Sequence, residues 1–424
     1  MAAEAPQHIE ALYLHVPFCV RRCAYCGFYS QAITRGAAGM GEYVEALTGL
    51  VRRAAGAGLL QGVKTAYIGG GTPTFVGESL LPLVRAVRAN CPGLEEFTCE
   101  ANPDSLSAKL AHGLRDEGAT RISLGVQSLD DAELRALGRA HDSAQALAAA
   151  RLVKSLGLDL SCDLMCGIPG QSLRTWETSL AGVVGAGADH VSCYPLSIEE
   201  GTPFDDAVLA GRMQLPDSDL QADMMLHAAD FLAQQEFSRY EVASYARRGH
   251  ACRHNIAYWT GKPYLGLGAA ASSMLTPQLY AELTSCMSLH ASDEETGECL
   301  VASSETLERQ PARVRLTFDG DWKSFAYTAL SDESLSAHGE TLTSRQAAAE
   351  DLMLAMRMVA PLTPGQLEAL VERGIPRQTL CGAIDCALAE GLVFRDAGGG
   401  IAPTQRGWLL GNELFGLMWD TASA

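Results

Sequence analysis

The chain has 424 residues, 47% of them apolar and 19% charged, which suits a globular protein with one large domain and a smaller one. Its net charge of −18, with only five lysines, argues against a nonspecific nucleic-acid surface, which needs clustered cations to neutralise phosphate. No run approaches a membrane span, Met1 to Glu10 is polar, and thirteen cysteines without a secretory signal point to a reducing, cytoplasmic setting.

The first element is the apolar run Ala11 to Val16, a strand that Pro17 cuts short. Directly behind it lies Cys19-Val20-Arg21-Arg22-Cys23-Ala24-Tyr25-Cys26, three thiols within eight residues on a loop leaving a strand end. Such a loop can wrap its sulfurs around one compact inorganic centre. Structural zinc wants four ligands, whereas a cubane cluster held by three thiolates keeps one iron open. Arg21 and Arg22 are expected to lower the neighbouring thiol pKa values. The ordinary alternatives are three unrelated cysteines or half of a zinc site, and the spacing favours the cluster.

Glu42 to Ala55 carries apolar residues at helical spacing. A short buried strand, Thr65 to Ile68, then runs into Gly69-Gly70-Gly71-Thr72-Pro73, and a helix follows over Ser79 to Ala89. Strand Phe97 to Glu100 ends at Ala101-Asn102-Pro103, Arg121 to Val126 leads to Gln127-Ser128, Leu158 to Met165 leads to Gly167-Ile168-Pro169-Gly170, and His190 to Tyr194 leads to Pro195. Ser218 to Gln235 reads as another helix. About six strand–helix repeats predict an α/β architecture of parallel strands whose polar and glycine motifs gather at one sheet edge. From near Gln278 the character changes. Residues 282–312, with Asp293-Glu294-Glu295 and Ser303-Ser304-Glu305, read as an exposed acidic insertion or linker. Helices are predicted over Ser344 to Met358, Pro364 to Glu372 and Arg377 to Glu390, then a two-stranded wing around Gly398 and Gly399, then a helix from Thr404 to Trp419.

The stretch from Tyr13 through Cys19, Cys23 and Cys26 to Phe28 resembles the entry motif of radical S-adenosylmethionine (SAM) proteins. Within that superfamily it is most similar to the oxygen-independent coproporphyrinogen III oxidase-like family, which includes the HemW branch of heme chaperones. The resemblance implies a partial (β/α)6 barrel, open on one side, with a small helical winged-helix-like C-terminal domain. It further implies a [4Fe-4S] cluster on Cys19, Cys23 and Cys26, with SAM chelating the fourth iron. The division it gives is a core over 1–280, an acidic insertion or linker over 281–343 and a C-terminal domain over 344–424. It covers most of 11–275 and 344–424.

By itself the glycine run reads as a tight turn with its backbone N–H groups open to a ligand. Beside the cysteine loop it resembles the element that receives the SAM amino group, on Gly70, Gly71 and Thr72. Glu100 at its strand end is an acceptor suited to a ribose diol, with a solvated acid as the plain alternative. Gln127, Arg139 and Asp163 are individually weak signals. In this order they resemble the family's SAM shell, with Tyr13 and Tyr25 flanking the cluster, Arg139 toward the SAM carboxylate and Asp163 toward the ribose.

Gly266-Leu267-Gly268-Ala269-Ala270-Ala271 fits a dinucleotide pattern but is rejected for want of a preceding strand and a following acid. Cys162 with Cys166, and Cys381 with Cys386, read as core cysteines. In Cys252-Arg253-His254-Asn255-Ile256-Ala257-Tyr258-Trp259 a histidine beside two aromatics suits an axial iron ligand packed against a macrocycle, while an isolated histidine is usually a hydrogen-bonded core group. The pattern resembles the heme-binding motif of the chaperone branch, which makes His254, Tyr258 and Trp259 the heme candidates.

Two functions compete on this scaffold. One is SAM-dependent oxidative decarboxylation of coproporphyrinogen III to protoporphyrinogen IX. The other is carriage of heme to an acceptor protein, such as a membrane-associated respiratory one, with an electron donor serving the cluster. The dehydrogenases carry a further cysteine where this chain has Phe28, and a longer segment ahead of the motif, where only eighteen residues precede Cys19. Both features favour the carrier.

Overall fold

The computed structural model describes residues 8–300, 311–331 and 333–423. Most of the N-terminal stretch Met1 to Glu10, and Ser303-Ser304-Glu305, lie outside them. Strand β1 (Ala11–Val16) leads into a two-residue parallel pair, β2 (Phe18–Cys19) with β3 (Gln31–Ala32), which brackets the cysteine loop. Then come β4 (Thr65–Gly70), β5 (Glu96–Ala101), β6 (Arg121–Gln127), β7 (Asp159–Cys166) and β8 (His190–Pro195). They lie parallel in the order β1-β4-β5-β6-β7-β8, the strands of a partial (β/α)6 barrel. The intervening helices start on local signals. Asp142 and Ser172 each close a capping box at the heads of Ser143–Ser155 and Leu173–Gly185, satisfying N–H groups that have no partner within the helix.

The sheet continues past both ends of this set. Beyond β8 lie β10 (Ser244–Ala246) and β9 (Ser238–Arg239). Beyond β1 lie β11 (Tyr264–Leu267), β12 (Ser272–Leu275), β14 (Arg313–Phe318), β15 (Leu335–Leu342) and β13 (Leu289–Asp293). The segment expected as an acidic linker therefore extends the barrel's own sheet over its described residues. Its strands bury alternate side chains such as Val314, Leu316 and Phe318 in the main core, Phe318 edge-on to Phe325 of helix Trp322–Leu330, and the polar alternate residues hid that pattern.

Gly266 does sit on a strand, against expectation, but β11 turns back into β12 and no helix follows, so no dinucleotide fold forms there. The C-terminal part builds a separate core on Leu352, Leu370, Ile384, Ile401 and Leu414. Helices Ser344–Ala355, Pro364–Glu372 and Arg377–Ala389 precede the wing β16 (Val393–Arg395) and β17 (Ile401–Pro403). The closing helix breaks at Leu410 into Gln405–Leu409 and Gly411–Trp419. Cys162 and Cys166 are buried, but Cys381 and Cys386 are exposed, because they fall on the outer face of Arg377–Ala389.

Gly71 shows how the strand ends hold the cysteine loop. A Cβ there would lie 2.8 Å from the Pro17 carbonyl carbon and 2.9 Å from the Phe18 backbone N and O, atoms that cannot move without dragging Cys19. Gly71→Ala is expected to cost about 1–3 kcal/mol in unfolding free energy and to weaken iron uptake. Denaturant unfolding checks the first effect and iron analysis after reconstitution the second. Wild-type values for both would show that the backbones can part.

Candidate functional site

The three cysteines sit at the carboxyl edge of the barrel around a cavity also lined by Gly70, Gly71, Thr72, Glu100, Gln127, Arg139 and Asp163. Backbone bonds hold the loop from three directions. Ala24 N–H donates to Leu137 O at 3.1 Å, Phe204 N–H to Ala24 O at 2.9 Å, and Cys26 N–H to Cys23 O at 3.3 Å. Arg22 Nε donates to Cys26 O at 3.2 Å, and Arg21 donates to the Arg139 carbonyl.

Arg22 lowers the Cys26 thiol as expected, but its effect is outweighed. Burial dominates, pushing the Cys19 thiol up to about 11 and the Cys26 thiol upward despite Arg22. Metal binding must therefore displace those protons. Within the described residues the three sulfurs are absent from the sets of possible ligand atoms lying within 4.8 Å of one another. Tetrahedral zinc at its usual bond length would draw sulfurs to about 3.8 Å. Three thiols on one loop, with no fourth ligand grouped with them among the described residues, suit a centre that keeps one metal position open.

Arg139 ties this loop to the barrel. Its Nη1 donates to Cys23 Sγ at 3.6 Å, and Nη2 to Asn102 Oδ1 at 2.6 Å and Gly125 O at 2.7 Å. Gly125 has no side chain because a Cβ would stand 2.8 Å from Asn102 Oδ1 and 3.1 Å from Arg139 Nη2. The strand bulges there, and Gln127 takes a positive φ of 64°, a conformation that costs energy in a residue with a side chain. The bulge leaves Gln127 on the cavity wall.

Two buried carboxyl groups face the same space. Glu100 accepts from Tyr67 Oη at 2.7 Å and Gly70 N at 3.1 Å, and burial, with Asp163 adding repulsion, lifts its pKa to about 7. Asp163 accepts from Ser123 Oγ at 3.3 Å and rises to about 6, again through burial. The glycine-run N–H groups are not free: Gly70 N serves Glu100, Gly71 N serves Val16 O, and Thr72 N serves Phe18 O. The run shapes the cavity and leaves side chains and carbonyls to meet a ligand. Thr72 Oγ1 lies 3.6 Å from Cys19 Sγ. Tyr25 lines the cavity, whereas Tyr13 is turned to His15 Nδ1 at 2.9 Å and is absent from the lining.

Below the mouth the barrel interior holds a cavity of about 620 Å³. Its walls come from alternate residues of four strands: Thr98 and Glu100, Arg121 and Ser123, Ser161 and Asp163, His190 and Ser192. Their neighbours Phe97, Cys99, Ile122, Leu124, Leu160, Cys162 and Val191 pack outward in the core. A polar interior in an α/β barrel marks a ligand space, since a barrel without one fills with branched apolar side chains. That period-two pattern was the missed sequence signal.

His254 stands outside this cavity. It is 1% exposed, with Nδ1 bonded to Thr65 Oγ1 at 3.0 Å, Nε2 to Tyr258 Oη at 2.9 Å, and its ring stacked on Tyr67. Burial lowers its pKa to about 3, so the ring is neutral. Trp259 packs under Arg357, joining the barrel to the C-terminal part. His254 could ligate iron through Nε2 only after Tyr258 turned away.

A thiol loop at the carboxyl edge of a partial barrel defines a class of proteins, and the model of the radical SAM superfamily matches residues 13–181. The chain is 33% identical over 359 residues to a heme chaperone HemW of Mycobacterium tuberculosis, spanning 80% of this chain and 92% of that one. It is 28% identical over 414 residues to HemW of Bacillus subtilis, spanning 96% and 98%. HemW of Escherichia coli is 36% identical over 270 residues, spanning 63% and 70%. The solved coproporphyrinogen III oxidase HemN of Escherichia coli shares the fold, with a TM-score of 0.72 and 20% identity over 98% of this chain and 91% of that one. The chain belongs to the radical SAM superfamily and, within its HemN-like group, to the heme chaperone HemW branch. Among the described residues, no helix is long and apolar enough to cross a membrane.

Proposed function

We propose that this protein is a cytoplasmic radical SAM heme carrier, which binds heme and passes it to an acceptor protein. The observation that supports it is the set of three thiols, Cys19, Cys23 and Cys26, over a cavity that shares Glu100, Gln127 and Asp163 with the polar barrel interior. When bound there, a [4Fe-4S] cluster with SAM supplies one-electron chemistry, served by an external electron donor. The chain's own residues do the holding. Arg139 keeps a charged donor on Cys23 and on the side where a SAM carboxylate would lie. Glu100 and Asp163 offer acceptors to ribose hydroxyls, Gln127 and Thr72 border the same ligand, and Tyr25 flanks the loop, while Tyr13 stands back from it on His15.

On the heme side, His254, Tyr258 and Trp259 are the candidates from sequence, and His254 is a buried, hydrogen-bonded residue behind the cavity in the conformation described. Anaerobically reconstituted protein is expected to hold one cluster per chain and take up hemin, and to leave coproporphyrinogen III unchanged with SAM and a reductant. Formation of protoporphyrinogen would overturn the carrier reading. In His254→Ala, a Soret band shifted to that of a complex lacking a nitrogen ligand makes His254 the iron ligand, and an unchanged band leaves it a hydrogen-bonded core group.

A further inference from the structure

The floor of the barrel cavity presents charge and hydrogen-bonding groups that the site at its mouth does not use. Arg121 begins β6 and lines the cavity, roughly 20 Å along the strand from Gln127 at its other end. It is 3% exposed, and its Nε and Nη1 have no hydrogen-bond acceptor. Only Nη2 is engaged, donating to His250 O at 2.8 Å and lying 3.5 Å from Glu96 and 3.8 Å from Asp159.

Both acids offset its charge from the Nη2 side, and neither accepts from Nε or Nη1. Glu96 accepts from Arg253 N and His254 N, both at 3.0 Å, and so caps helix Arg253–Trp259 with a further contact from Cys252 Sγ. Asp159 lies 3.1 Å from His250 Nδ1. Thr98, paired with Arg121 in the sheet register, also lines the cavity. It is fully buried, and its Oγ1 has no partner. Two guanidinium N–H groups without an acceptor, beside a hydroxyl without a partner, are expensive to bury unless something else completes them.

We infer that Arg121 and Thr98 form a carboxylate-binding subsite at the floor of the barrel, so that a ligand enters acid first beneath Glu100 and Asp163. A guanidinium stays charged at every physiological pH and forms its strongest hydrogen bonds to carboxylates. Glu100 and Asp163 nearer the mouth disfavour a second anionic group at that level. Two sources supply such a carboxylate, a heme propionate or a free small acid. The first rests on the heme reading above; the second does not.

The test compares hemin with its dimethyl ester by Soret titration of the reconstituted chain, and follows thermal stability in millimolar propionate against acetamide. If a heme propionate is the occupant, the wild type binds hemin about tenfold or more tighter than the ester, the weight of one charge-assisted hydrogen bond. Arg121→Met then levels the two. If a free acid is the occupant, the ester binds as hemin does, yet propionate raises the wild-type Tm, acetamide does not, and the rise vanishes in Arg121→Met. Thr98→Val reduces whichever effect appears, and carries the variant arm if Arg121→Met does not fold. A wild type with neither ester discrimination nor a propionate response overturns the subsite, while ordinary hemin binding in that same protein leaves the carrier reading intact. Hemin refused but propionate bound has the opposite meaning: the subsite stands and the heme reading falls.

Discussion

Alanine at Cys19, Cys23 or Cys26, one position at a time, is expected to reduce iron after anaerobic reconstitution from about four atoms per chain to near background, the largest effect of any single change. The Tm of the metal-free chain should hardly move. The separation follows from how the loop is built. Its backbone is pinned to Leu137 and Phe204, and β2 pairs with β3 on its flank, so no thiol is needed to keep its path. Cys19 Sγ meets the hydroxyls of Thr72, at 3.6 Å, and Ser30, and Cys23 Sγ meets Arg139 at 3.6 Å, contacts that sulfur makes weakly. Losing one thiol leaves a cluster with two anchors, and binding free energy is lost rather than shared. Iron and sulfide analysis with the 400 nm absorbance reads the first effect, and calorimetry of the apo chain the second. Full iron in any of the three variants would remove that cysteine from the set, and zinc in the wild-type protein would remove the cluster altogether.

What the sequence announced and what it concealed divide along a physical line. The barrel strands were legible because most are apolar runs stopped by a proline or glycine, and the cysteine loop because its spacing has few other uses. The sheet extension was not. β15 reads Leu-Ser-Ala-His-Gly-Glu-Thr-Leu, half polar because half of it is solvated, and in an acidic setting it resembles a loop. The cavity was concealed for the opposite reason. Outward residues such as Ile122, Leu124 and Val126 make β6 look like a buried strand, and Arg121 and Ser123 pass as its polar fringe until the barrel turns them onto one space. His254 taught a third lesson. Its neighbours in sequence suited a heme ligand, but helix Arg253–Trp259 brings Tyr258 one turn on to occupy Nε2, and Thr65 from β4 takes the other nitrogen. Sequence spacing shows which side chains share a face, not which hydrogen bonds are already spent.

Glu100→Gln is expected to make the metal-free protein more stable at pH 8 while weakening SAM binding about tenfold or more. The sign comes from the raised carboxyl pKa. In the folded chain Glu100 titrates at about 7 against 4.5 for the free group, so between those values the native state binds more protons than the unfolded one. Stability must then fall as pH rises through that window, and the full penalty is present above about pH 7. Asp163 adds the same sign between 3.8 and about 6. A glutamine cannot ionise, yet it can still accept from Gly70 N and pair with Tyr67 Oη, the two contacts Glu100 makes now. The variant should match the wild type in Tm near pH 5 and exceed it by a few degrees at pH 8, each kcal/mol being worth roughly 1–2 °C in a domain this large. Binding runs the other way, because an ionised acceptor gives a hydroxyl a stronger hydrogen bond than an amide oxygen does. Calorimetry across pH 5 to 8, with SAM titrated into the reconstituted variant, reads both. A variant less stable than the wild type at pH 8 would mean that Glu100 is already neutralised in the native chain by a partner stronger than Tyr67 and Gly70.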